Sequence, residues 1–133
     1  MNYKEVIEAK YNREAWQQLL HDIFLNKVQF YNSTSEVKVN SRLAKSALYI
    51  GRISLSDGES LGIYEVELAD KVDIERNKRG IRDMLTKDWK DMGHAGAFMF
   101  CYRKNESVLR FSYVSETWGF NKKGDYEKLS TNT

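Results

Sequence analysis

Glu65 and Glu67 stand one residue apart inside the apolar run LGIYEVEL, residues 61–68, and the basic segment ERNKRGIR, residues 75–82, comes shortly after. An alternating run of this kind reads as a strand, and side chains two apart on a strand project from the same side. The two carboxylates therefore lie about 7 Å apart along one face, while Tyr64, Val66 and Leu68 take the other face and pack. Like charges beside an apolar run repel each other and resist desolvation. Two arrangements relieve this. One is a divalent cation such as Mg2+, which one or two carboxylates hold together with water and phosphate oxygens, and which activates water against a phosphodiester. The other is a face that is solvated or paired with Arg or Lys.

The elements that must position these groups can be read from periodicity. REAWQQLLHDIF, residues 13–24, repeats apolar residues at helical spacing behind Asn12, a good N-cap, and YKEVIEAK before it adds a short helical turn. Residues 32–46 are polar and read mostly as loop, with a short strand around Val37 and Val39. ALYIGRISL (47–55) and SLGIYEVEL (60–68) read as two strands joined by the Asp-Gly turn of SDGE. Ile74, Ile81, Met84, Leu85, Trp89 and Met92 form one stripe of a helix over about 74–91, ended by GHAG. AFMFCYR (97–103) is a continuous apolar strand, Asn105 and Glu106 make a turn, and VLRFSYVSETW (108–118) alternates as a strand. The order helix–strand–strand–helix–strand–strand makes the strands at 60–68 and 97–103 parallel across a helical crossover, in a mixed sheet flanked by helices. The fold class is α/β or α+β. A hairpin turn centred on Gly58–Glu59 sets Arg52 opposite Glu65 and Ile50 opposite Glu67, with Arg52 as an ion-pair partner.

The chain has 133 residues, a formal net charge of only +2 and a single cysteine. One domain with a real core fits this length, here residues 1–120, with 121–133 a polar tail leading toward further domains of a longer chain. No run approaches the ~20 apolar residues of a membrane helix, and the N-terminus lacks the apolar middle of a signal peptide. Cys101 lies in AFMFCY and reads as a buried structural thiol in a reducing cytoplasm. His21 and His94 have no second His or Cys at ligand spacing, which argues against zinc. Trp16, Trp89, Phe98, Phe100, Phe111 and Tyr113 read as core. The net charge is small, but ERNKRGIR packs four cations and one anion into eight residues. Arg76, Lys78, Arg79 and Arg82 lie on the polar side of the long helix near its start, where the macrodipole disfavours cations by a few tenths of a kcal/mol each. They read either as contacts to DNA phosphates or as a solvated face pairing with Glu75 and Asp83. Arg42 and Lys45 read first as plain surface charge, with tracking of phosphates as the alternative.

A helix, a hairpin whose second strand carries an acidic triplet, then a helix and a parallel strand resemble the PD-(D/E)XK nuclease core. YNREAWQQLLHDIF, LYIGRISLSDG, IYEVEL, DIERNKRGIRDML and LRFSYVSE, in that order over residues 11–118, are more specifically similar to the N-terminal domain of type IIG restriction–modification enzymes. In that family an endonuclease domain precedes an adenine-specific DNA methyltransferase and a target-recognition region. The resemblance implies a Mg2+-dependent hydrolase acting on double-stranded DNA, with Glu65 as the metal-binding acid, joined by Glu67, Glu14 from the first helix and Asp57 from the hairpin. Glu67 stands where most members have the catalytic lysine, and the strand before it lacks the family's aspartate. The alternative is therefore a degenerate, non-catalytic module that binds DNA or docks the methyltransferase and target-recognition regions. A small protein-interaction domain with no nucleic-acid role is the remaining option.

Overall fold

The structure, a computed structural model, describes residues 1–25, 28–103, 111–116, 118–120 and 126–128, the last three segments as backbone. The expected turn at Asn105–Glu106, and the side chains of Phe111 and Tyr113 read as core, lie outside what is described. Helix α1 (Tyr3–Ala9) is capped by Asn2, whose side chain accepts from the Glu5 N–H, and it buries Tyr3, Val6 and Ile7. Helix α2 (Arg13–Phe24) starts at Asn12 as expected, with the Asn12 carboxamide oxygen accepting from the Glu14 and Ala15 N–H groups at 3.1 and 3.2 Å. Helix α3 (Ile74–Asp91) begins where Asp73 accepts from the Arg76 N–H at 3.1 Å. Its buried stripe is Ile81, Leu85 and Trp89, while Met92, expected to continue it, is exposed past the helix end.

Strands β1 (Phe30–Val37), β2 (Ala44–Ser54), β3 (Ser60–Leu68), β4 (Gly96–Tyr102) and β5 (Phe111–Glu116) form one mixed sheet in that spatial order. All pairings are antiparallel except β3 with β4, which is parallel as the crossover requires. The eight-residue β1 replaces the loop expected over most of this stretch. Its sequence, FYNSTSEV, lacks an alternating pattern because it is an edge strand whose central residues face water, so backbone pairing with β2 defines it. A short ladder joins β6 (Trp118–Phe120) to β7 (Tyr126–Lys128), so strand backbone continues into the segment read as a polar tail.

Two apolar layers sandwich the sheet. On one face α1 and α2 cover Ile53, Leu61, Ile63 and Phe98, with Trp16 stacked on Phe98 at 5.3 Å. On the other, α3 lays Ile81, Leu85 and Trp89 over Tyr49, Tyr64, Val66, Leu68, Met99 and Cys101. Burying each such large side chain contributes about 1.5–3 kcal/mol. Cys101 is fully buried, and burial pushes its thiol up to about 12, so it is an inert core group. No described helix is long and apolar enough to cross a membrane.

Candidate functional site

Strand alternation on β3 places the acid pair as expected. Tyr64, Val66 and Leu68 are buried against α3, while Glu65 is exposed and Glu67 half-buried on the opposite face. That face is covered by α1 and α2 at Leu61 and Ile63, but the carboxylates lie further along the strand. Cross-strand pairing sets Glu36, Leu48, Glu65 and Phe100 in one row and Ser46, Glu67 and Tyr102 in the next. The two carboxylates act together on Tyr102: burial first, then Glu67 and Glu65, raise its phenol above the ordinary value.

The register differs from expectation. Leu48, not Arg52, faces Glu65, and Ser46, not Ile50, faces Glu67. Two local features move the partner of Glu65 by four residues. The turn is a wider loop over Leu55–Glu59, closed by the Leu55 N–H to the Glu59 carbonyl at 2.9 Å, and a bulge at Ile50 adds one more residue. Arg52 instead faces Gly62, and its guanidinium lies 4.5 Å from the centre of the Tyr31 ring. It is therefore no ion-pair partner of the acids, and neither glutamate pairs with a cation among the described residues.

The other two acids are not gathered to this point. Asp57 sits in the hairpin loop, where its carboxylate accepts from the Tyr3 N–H at 3.0 Å and the Glu59 N–H at 3.2 Å. From Glu59, where the loop ends, to the level of Glu65 is roughly 20 Å at ~3.3 Å per residue. Asp57 thus ties α1 to the hairpin. Glu14 is exposed in the first turn of α2, favourably placed against the helix macrodipole. Among the described residues, no three His, Cys, Asp or Glu side chains form a group able to hold a metal ion. The acid pair has the oxygen chemistry of a Mg2+ ligand, but the third carboxylate that would complete a protein-built site is not beside it.

The basic residues lie across the sheet from the acids, because α3 packs on the Tyr64 face. Both sets nevertheless occupy the same end of the domain, since α3 starts just after β3 ends. Lys78 pairs with Glu75 at 3.1 Å and Arg82 with Asp83 at 2.8 Å. Arg76 and Arg79 are exposed and make no ion pair among the described residues.

One polar cluster had no sequence signal. His94, 7 % exposed, bridges the Ser60 hydroxyl through Nδ1 at 2.7 Å and the Tyr49 hydroxyl through Nε2 at 3.0 Å, and its ring stacks on Tyr49. Tyr64 beside it donates to the Asp88 carboxylate. The partners come from β2, β3 and α3, 34 to 45 residues from the histidine, or in the Tyr64–Asp88 pair 24 residues apart, so no local spacing announces them. Burial lowers the proton affinity of His94, Arg52 lowers it further, and Asp88 opposes them. As pH falls through the ordinary imidazole range near 6.5 the unfolded chain takes up a proton that native His94 refuses, so stability present above that pH is lost below it. Urea denaturation between pH 7.5 and 5 is expected to show a fall in midpoint that His94→Gln flattens. An equal fall in the variant would remove His94 as its source.

No protein-family model, curated protein or solved structure matches the chain.

Proposed function

We propose that this chain is a nuclease-like domain that grips the DNA backbone and docks it for the methyltransferase and target-recognition regions of a type IIG restriction–modification protein, without cutting DNA itself. The observation that carries this reading is the sorting of charge on α3. Lys78, Arg82 and Lys87 are each matched to an acid, whereas Arg76 and Arg79 in the N-terminal third of the helix make no ion pair among the described residues, the other such cation being Lys90 in the last turn, where the macrodipole favours it. Unmatched cations in one exposed strip suit phosphate oxygens and carry no base specificity. The helix, antiparallel hairpin, helix and parallel strand in sequence support the nuclease-like ancestry. Leu48 and Ser46 opposite the acid pair, and Asp57 held by α1, favour binding over hydrolysis.

Fluorescence anisotropy with a labelled duplex of about 20 base pairs tests it. Binding is expected to weaken with salt, and Arg76→Glu/Arg79→Glu is expected to lower the salt slope by about 2, roughly one per phosphate contact. Binding that is absent at low salt, or unchanged in the double variant, would overturn the reading.

A second reading makes Glu65 and Glu67 ligands of Mg2+ in phosphodiester hydrolysis. Its support is that the two carboxylates share an exposed face with no cation beside them among the described residues. There Mg2+ would polarise a phosphate and lower the pKa of bound water. Titration of Mg2+ or Mn2+ into wild type and Glu65→Ala separates the two. Heat released only by wild type, with cleavage lost in the full-length variant, would establish hydrolysis and displace the docking reading.

A further inference from the structure

The loop between β1 and β2 meets α3 at two points, Met84 and Gly80. Within it the Arg42 N–H donates to the Asn40 side-chain oxygen at 3.0 Å, and the Leu43 and Ala44 N–H groups donate to the Asn40 carbonyl at 2.9 and 3.0 Å. Outward, the Asn40 N–H meets Met84 Sδ of α3 at 3.3 Å, while the Leu43 carbonyl accepts from the Ala69 N–H and extends the β2–β3 ladder by one step. Leu43 also seats on the helix at Gly80, where a methyl group would come within 3.2 Å of Leu43 Cδ1. A glycine inside a helix costs about 1 kcal/mol relative to alanine. Here it lets the loop lie against the helix.

This seating has a consequence for charge. Arg76 lies one turn before Gly80 on the same stripe of α3, and Arg79 adjoins Gly80. Arg42 adjoins Leu43, is exposed, and makes no ion pair among the described residues. The cation three residues further on, Lys45, is matched to Asp70 at 3.0 Å. We infer that Arg42, held beside Arg76 and Arg79 by the Leu43–Gly80 contact, forms the second wall of a cationic strip that takes the phosphate backbone of duplex DNA. The loop supplies one wall and the helix the other, so the strip can contact phosphates on both sides of a backbone run. This rests on the DNA-binding reading above and extends it to a residue from a different element.

The test compares Arg42→Gln with Lys45→Gln, two substitutions that change net charge equally, in anisotropy titrations of the same duplex over a range of salt. Arg42→Gln is expected to weaken binding on the order of tenfold and to lower the salt slope by about 1, with Arg42→Lys restoring most of the slope. Lys45→Gln is expected to stay near wild type, because its charge is already balanced. Circular dichroism confirms that each variant is folded, which the exposure of both side chains favours. Equal effects of the two neutral variants, or none from Arg42→Gln while Arg76→Glu/Arg79→Glu still lowers the salt slope, would overturn the role of Arg42 and leave the DNA-binding reading standing. Absence of duplex binding by wild type would overturn both.

Discussion

Trp89→Ala is expected to remove about 3–5 kcal/mol of folding stability, measured as a fall in the urea midpoint at unchanged slope. Trp89 is 1 % exposed and is the largest fully buried side chain among the described residues, filling the layer between α3 and the sheet with Ile81, Leu85, Tyr64 and Met99 around it. Truncation leaves a cavity that a two-layer core cannot collapse to fill. Against the roughly 5–15 kcal/mol that small domains possess, the loss is enough to unfold a large share of the molecules. Trp89→Phe is expected to be far milder. The buried indole N–H has no hydrogen-bond partner among the described residues, so losing it sheds a desolvation cost of about 1–3 kcal/mol while most of the volume is kept. Equal losses in the two variants would mean that the indole nitrogen has a partner and that lost packing is the smaller effect.

Gly51→Ala is the second large effect, expected to cost about 3 kcal/mol or more and to act on β1 first. Gly51 has φ +146°, a conformation that L side chains rarely adopt, and a methyl there would sit 2.3 Å from the Tyr31 carbonyl oxygen and 2.7 Å from the Phe30 ring. A backbone oxygen cannot step aside as a flexible side chain can, so β1 must move or detach. Hydrogen exchange is the direct readout: amides of β1 and its partners on β2 should lose protection before those of β3 and β4. Uniform loss of protection, or none, would contradict the local mechanism.

The same glycine bears on the site. It adjoins the bulge at Ile50, and that extra residue helps bring Leu48, not an arginine, opposite Glu65. Had the hairpin closed on a two-residue turn, Arg52 would stand over the acid pair. Instead Arg52 is spent on Tyr31, near His94, and the glutamates remain an anionic patch beside Tyr102. On the proposed reading the strip of Arg42, Arg76 and Arg79 would draw in the phosphates of DNA and the anionic patch would repel them. The sheet separates the two, so a duplex bound as proposed would sit on the side away from the acids. Phosphate binding and the acid pair are therefore separable by mutation, which the Glu65 and arginine variants exploit.

Much of the architecture was legible from neighbouring residues alone. The stripe through Leu19 and Ile23, and that through Ile81, Leu85 and Trp89, repeat at the helical period, and Asn12 can cap only a helix that lies C-terminal to it. Alternation along IYEVEL forced Glu65 and Glu67 onto one side with Tyr64, Val66 and Leu68 on the other. The order of these segments required β3 and β4 to run parallel. Such features rest on relations between residues two to four apart, which the linear chain already displays.

What escaped was the edge strand β1, the offset at which β2 meets β3, and the contacts between distant segments. β1 carries no alternation, because an edge strand facing water takes its form from the backbone of its neighbour. The partner of Glu65 shifted by four residues through the Leu55–Glu59 loop and a one-residue bulge, neither of which changes the polarity pattern. His94 found Ser60 and Tyr49, and Leu43 found Gly80, only after distant segments closed on one another. Side-chain chemistry and local period could say which groups were available and which way they pointed. The company those groups keep is a property of long-range register, decided by how the whole sheet and its helices minimise buried void and unpaired charge together.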